Sequence, residues 1–237
     1  MTLGRETTFT WLGHATFAVT TPGGQSLLLD PWVQSNPACP EALKDLPRVD
    51  AMLLTHGHFD HVADAVSLAK AHACPTVGIF ELCHWLGRQG VSSTLDMNKG
   101  GTVEVAGVHV TMVHADHSCG IQEADGSIVY GGEAVGYVVR LENGFTFYFA
   151  GDTNVFGDMA LIGELYRPDL AILPIGGHYV MGPREAAKAV ELLGVKQVIP
   201  MHFGTFPVLA GTPEDLQARV ASLGCQVLAM RPGETLR

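Results

Sequence analysis

Three imidazoles and one carboxylate fall within six residues at His56-Gly57-His58-Phe59-Asp60-His61. The run follows Thr55 at the end of a short apolar segment and precedes a segment with helical spacing. A strand exit therefore delivers all four side chains to one turn. Neutral imidazole and carboxylate are borderline-to-hard donors that suit Zn and also Mn, Fe, Co or Ni. A lone histidine in a loop is usually solvated, but four donors in this order behind a buried strand point to a metal site.

One such cluster cannot fill two coordination shells, so further donors are expected at the ends of other strands. Three fit. His117 follows the apolar strand Val108 to Val113, Asp152 follows Phe145 to Ala150, and His202 follows Gln197 to Met201. In α/β sheets, ligands gather at strand carboxyl ends. Asp30 ends the strand Leu27 to Leu29 and precedes Pro31. It is placed either to orient a ligand imidazole by accepting its second N–H or to serve the turn. His14, after Gly13, and His178, in Gly176-Gly177-His178-Tyr179, are candidates for an electrophile or general acid, with a structural histidine as the other reading of each. His72, His84, His109 and His114 lack such a context and read as surface or core residues. Cys119, two residues from His117, reads as packing.

The elements that must hold these residues alternate between strand and helix, a layered α/β pattern. Strands are expected at Thr8 to Leu12, Thr16 to Thr20, Leu27 to Leu29, Ala51 to Thr55 and Thr76 to Ile79. Val62, Ala65, Val66, Ala69 and Ala73 share one helical face, which predicts a helix over Val62 to Ala73. Hairpins are expected at Val103 to Val113, turning at Ala106-Gly107, and at Val135 to Ala150, turning at Asn143-Gly144. A strand at Leu170 to Ile175, a helix from Pro183 to Gly194, a strand at Gln197 to Met201, a helix capped by Thr212 and a strand at Gln226 to Met230 complete the chain. Two similar strand-rich halves are expected to meet within Ser118 to Gly136, inside one domain spanning 1–237. That Gly-rich stretch is expected to wall or lid the pocket, with Tyr130 and Glu133 as contacts.

Composition sets the limits. The chain has 237 residues, 47% hydrophobic and 16% charged, which favours a well-filled core over disorder. A net charge of -10 argues against a surface for nucleic acid, though not against a small anionic substrate beside a bound metal. No apolar run reaches membrane-spanning length, and the first twenty residues lack the pattern of a secretory signal. The five cysteines are widely spaced and form no CxxC pair, which suits reduced thiols in the cytoplasm.

His56-x-His58-x-Asp60-His61 followed in order by His117, Asp152 and His202 resembles the metal signature of the metallo-β-lactamase superfamily, over nearly the whole chain. Leu12-Gly13-His14-Ala15, Leu29-Asp30-Pro31, Ala115-Asp116-His117-Ser118, Tyr130-Gly131-Gly132-Glu133, Leu173-Pro174-Ile175-Gly176, Met181-Gly182-Pro183 and Met201-His202-Phe203 resemble one branch. It is a bacterial and archaeal group of uncharacterised metal-dependent hydrolases, similar to L-ascorbate-6-phosphate lactonase and N-acyl-phosphatidylethanolamine phospholipase D. The resemblance implies an α/β fold, the four-layer αββα sandwich. It implies two divalent metal ions, Zn first with Mn, Fe or Ni as alternatives. His56, His58 and His117 would hold one ion, Asp60, His61 and His202 the other, and Asp152 would bridge. The implied activity is hydrolysis of a small-molecule ester, phosphodiester or lactone, by a metal-activated hydroxide. Asp60 or Asp152 would help to hold that hydroxide, and His14 or His178 would act nearby. A thioesterase similar to glyoxalase II stays open, as does a metal-binding or redox protein without hydrolysis. The related di-iron oxygen-reducing proteins carry Glu in place of the second motif histidine, whereas His58 is present here. Assembly with further copies of the chain also stays open.

Overall fold

The computed structural model describes residues 6–237. Six strands come first: β1 (Thr8–Trp11), β2 (Phe17–Thr20), β3 (Ser26–Leu29), β4 (Ala51–Leu53), β5 (Thr76–Ile79) and β6 (Thr94–Met97). They form one sheet in that order, antiparallel from β1 to β3 and parallel from β3 to β6. A second sheet takes β7 (Thr102–Val105) and β8 (Val108–His114). A separate hairpin of β9 (Gly120–Gln122) and β10 (Ile128–Tyr130) follows. The second sheet continues with β11 (Val135–Arg140), β12 (Thr146–Phe149), β13 (Leu170–Pro174), β14 (Gln197–Met201) and β15 (Gln226–Val227). The last strand, β16 (Thr235–Leu236), crosses back to pair with β1.

Side chains on a strand alternate between faces. Phe147 and Phe149 belong to the core between the sheets, while Tyr148 and the following Ala150 belong to a core on the other side. Between the sheets, Phe9 meets Phe147 edge-on at 5.2 Å. The outer face of the second sheet is covered by α4 (Met159–Tyr166), α5 (Pro183–Leu193) and α6 (Pro213–Val220), which supply Ile162, Val190 and Leu216 to that core. Ala65, Ala69, Leu82 and Leu86, from α2 (Ala65–His72) and α3 (Phe80–Arg88), pack with the first sheet. The layers are therefore helix, sheet, sheet and helix: an αββα sandwich.

Two expectations change. The halves divide at residues 98–101, between β6 and β7, and not within Ser118 to Gly136. β7, β8, β11 and β12 form one continuous antiparallel ladder, so the intervening Gly-rich stretch is an insertion into the second half, folded as its own hairpin. The helix expected over Val62 to Ala73 is instead α1 (Phe59–Val62) and α2, broken at Ala63 and Asp64. Asp64 is buried and its carboxylate accepts from the amides of Val33 and Gln34 at 2.6 and 2.9 Å. Those bonds anchor the short helix carrying Asp60 and His61 to the segment after β3. Helices α3 and α4 and strand β6 are additional to the expected elements, although Leu82, Cys83 and Leu86 of α3 have helical spacing. Neither helix has a side-chain cap, and β6 is only half-buried.

The sheets are also stitched by polar bonds near the strand exits. The amide of Val135 donates to the Thr55 carbonyl at 3.0 Å, and the Tyr137 hydroxyl donates to the Leu54 carbonyl at 2.7 Å. Tyr137→Phe leaves a buried carbonyl without that donor. A loss of about 1–3 kcal/mol in unfolding free energy is expected, measured by urea denaturation. An unchanged midpoint would mean that this bond does not help to hold the sheets together.

Candidate metal centre

Each donor sits beyond a strand, on the short helix α1 or on loops that meet at one edge of the sandwich. His56, His58, Asp60 and His61 follow β4, and His117 follows β8. Asp152 follows β12, and His202 follows β14. The loops are tied to one another. The Asp116 amide donates to Thr153 Oγ1 at 2.9 Å, and the His202 amide donates to the His14 carbonyl at 3.0 Å. Gly151 lets the Asp152 loop approach the Thr55 loop, since a Cβ there would lie 2.7 Å from Thr55 Cβ. His14, Asp30 and His202 all have positive φ, at 56°, 43° and 54°. Such backbones are uncommon for residues other than glycine and gather where function fixes geometry.

Two groups of donors converge, and a third set, Asp30 with His56 and His61, overlaps them. Donor atoms of His56, His58 and His117 lie within 4.8 Å of one another, as do those of His14, Asp60, His61 and His202. In the first group, His58 Nδ1 faces His56 Nε2 at 3.0 Å and His117 Nε2 at 3.3 Å. Burial, and after it the neighbouring imidazoles, lowers the pKa of His56 and His58; His117 is lowered by burial against the pull of Asp152. All three are therefore held neutral, the form that ligates a metal. Asp152 Oδ2 lies between the groups, 3.0 Å from His202 Nε2, 3.3 Å from His61 Nε2, 3.8 Å from His117 Nε2 and 4.0 Å from His56 Nε2.

Asp30 organises the imidazoles from behind. One oxygen accepts from the Thr55 amide at 2.8 Å. The other accepts from the Thr55 hydroxyl at 2.6 Å and from His61 Nδ1 at 2.8 Å. Thr55 has then given away its only hydroxyl proton, so His56 Nδ1, 3.0 Å from Thr55 Oγ1, must be the donor in that contact. This leaves a lone pair on His56 Nε2, facing the cluster. His14 differs. Its Nε2 lies 3.0 Å from Asp60 Oδ2 and its Nδ1 lies 3.0 Å from Thr205 Oγ1. Burial outweighs the bond to Asp60 and lowers its pKa to about 4. A neutral His14 that donates to Asp60 and accepts from Thr205 satisfies both contacts and keeps no lone pair for an ion.

Several buried atoms here have no hydrogen-bond partner among the described residues: His61 Nε2, both ring nitrogens of His202, and Asp152 Oδ1. Buried polar atoms are nearly always paired. Burial opposes charge on Asp60 and Asp152, yet neighbouring histidines hold both carboxyls down, Asp60 to about 2 through His61 and His14. Burial also opposes charge on His61, and Asp152, Asp60 and Asp30 outweigh it and raise its pKa well above the ordinary value. The carboxylates thus call for positive charge among the donors, and a divalent cation fits that demand.

His178 is not brought to this cluster. It is exposed, its ring packs edge-on against Tyr179 at 4.4 Å, and Tyr179 rather than His178 lines the cleft. The Gly-rich stretch does wall the cleft, but through Ser118, Gly120, Gln122 and Ile128. Tyr130 is 73% exposed away from it, and Glu133 pairs with Lys99. Cys119 is packing as expected; its buried thiol contacts the Gly131 carbonyl and its pKa is pushed up to about 11. The role of Thr55 was hidden within the motif itself, and Thr205 had no signal of its own.

A family model described as a beta-lactamase superfamily domain matches residues 25–203. A metal-dependent hydrolase of Koribacter versatilis is 58% identical over 226 residues, covering 95% of this chain and 96% of that protein. A metal-dependent hydrolase of Rubrobacter xylanophilus is 53% identical, covering 97% and 96%. Among solved structures, Igni18, a metallo hydrolase from the archaeon Ignicoccus hospitalis, superposes with a TM-score of 0.85 at 33% identity, covering 97% of both chains.

Asp30→Asn tests the support from behind the cluster. Whichever way the amide turns, its NH2 faces a donor, either the Thr55 amide or His61 Nδ1. Affinity for Zn is expected to fall about 10–100-fold, measured by competition with a chromophoric chelator. Unchanged affinity would contradict the role given to Asp30.

Proposed function

Because the chain belongs to the metallo-β-lactamase superfamily and is a metal-dependent hydrolase, we propose that its donor cluster is a dinuclear centre that hydrolyses a small ester. His56, His58 and His117 would hold one divalent ion, Asp60, His61 and His202 would hold the second, and Asp152 would serve both. Zinc is the first choice for a set of neutral imidazoles with two carboxylates. The observation that carries this reading is the set of buried ring nitrogens and carboxylate oxygen without a hydrogen-bond partner, facing the imidazoles of His56, His58 and His117 across Asp152.

When bound, the ions supply a water of lowered pKa and positive charge for an anionic oxygen. The chain's own residues fix the arrangement. Asp30 accepts from His61 Nδ1, and Thr55 accepts from His56 Nδ1, so both rings present Nε2 to the cluster. His14 donates to Asp60 and fixes the direction of that carboxylate, acting as a positioning residue. A phosphodiester or cyclic ester is the preferred substrate, on the likeness of the finer motifs to branches with that chemistry. The five unpaired, buried thiols support a reducing, cytoplasmic setting.

Turnover of bis(p-nitrophenyl) phosphate, with p-nitrophenyl esters beside it, tests the proposal on protein reloaded with Zn or Mn. Phosphodiester turnover that is lost in His117→Ala is expected. Turnover of the carboxylic esters alone would move the reading to a lactonase or thioesterase. His58→Ala and Asp152→Ala are expected to lose bound metal and at least about 100-fold in rate, in line with the size of metal and electrostatic contributions. Full metal content and activity in both variants would overturn the ligand assignment.

A further inference from the structure

Phe59, Ile128 and Tyr179 are 53%, 76% and 61% exposed, and all three line the cleft of about 790 Å³ that opens onto the donor cluster. They come from three separate places: the first residue of α1, the first residue of β10, and the loop between β13 and α5. A single exposed apolar side chain is ordinary. Three at the mouth of one polar site mark a surface that meets a ligand.

Two of these walls are held in position. The Phe59 ring packs edge-on against Trp32 at 5.7 Å, and Trp32 stacks on Phe206 at 5.9 Å. Ile128 lies over Gly120, where a Cβ would come within 2.7 Å of its Cγ2. Beyond the two carboxylates assigned to the ions, the cleft walls carry no charged side chain among the described residues. Asp60 and Asp152 line the cleft, and no Lys or Arg does so among the described residues. A substrate with a second anionic group, such as a phosphomonoester or nucleotide, needs fixed cations beyond the reacting centre, usually Arg or Lys.

We infer that the cleft takes an ester whose acyl or alcohol part is an uncharged apolar chain or ring of several carbons. That part lies against Phe59, Ile128 and Tyr179, and esters carrying a second anionic group are turned away. This deepens the proposed ester hydrolysis and rests on it for the bond that is cleaved.

Two measurements on Zn-loaded protein test it, the first independent of turnover. Binding of the neutral fluorophore N-phenyl-1-naphthylamine is compared between the native chain and a Phe59→Ala, Ile128→Ser, Tyr179→Ala triple variant, with circular dichroism as the check on folding. Binding is expected to weaken at least about tenfold in the variant. The second is kcat/KM on p-nitrophenyl acetate, butyrate and octanoate, expected to rise about tenfold or more along the series in the native chain and much less in the variant. Equal fluorophore binding by both proteins overturns the inference, and so does a flat ester series in the native chain. Dissociation of an oligomer in the variant would also overturn it, because the face would then be a contact between copies. Weakened fluorophore binding with no turnover of the carboxylic esters or of bis(p-nitrophenyl) phosphate would instead sink the hydrolytic reading and leave the apolar cleft standing.

Discussion

Imidazole nitrogens and carboxylate oxygens from four strand exits are held within a few ångströms of one another. Such donors repel or go unsatisfied when buried alone, and they become favourable together only around positive charge. This requirement explains features that otherwise look unrelated. Asp30 is buried and receives three donors, so that the imidazoles in front of it keep their lone pairs facing the cluster. His14, Asp30 and His202 accept an uncommon backbone conformation to face their partners. The two sheets meet with polar bonds at the same edge, through Thr55 and Leu54, which limits how far the donor loops can separate.

The fold serves this requirement through its topology. β4 lies in the first sheet and β12 and β14 in the second, all in parallel runs whose carboxyl ends lie at the same edge. One cluster thus draws on both halves of the chain. Losing the contact between sheets would separate His56 and His61 from Asp152 and His202. Stability of the sandwich and integrity of the site are therefore one physical problem.

Much of this was legible in the sequence, for reasons that can be named. The ligand-type residues stood out because each follows an apolar strand and each is a His or Asp beside a small residue. Most strands were legible because β11, β12 and β13 are apolar on both faces and bounded by Gly or Pro turns. The division between halves was not, because the Gly-rich insertion looks like a linker and only the hydrogen-bond ladder shows β7 and β8 joined to β11. The break in the first helix was hidden too, since Asp64 ends one helical run by bonding to amides about thirty residues earlier in the chain. The apolar cleft wall was hidden because Phe59, Ile128 and Tyr179 become neighbours only in three dimensions.

The central claim is that these side chains hold two metal ions. Anomalous diffraction from crystals of Zn-loaded protein tests it most directly, because it locates each ion without reference to activity. Two peaks per chain are expected, one among His56, His58 and His117 and one among Asp60, His61 and His202, with Asp152 touching both. A single peak, or a peak bound by His14 in place of Asp152, would contradict it.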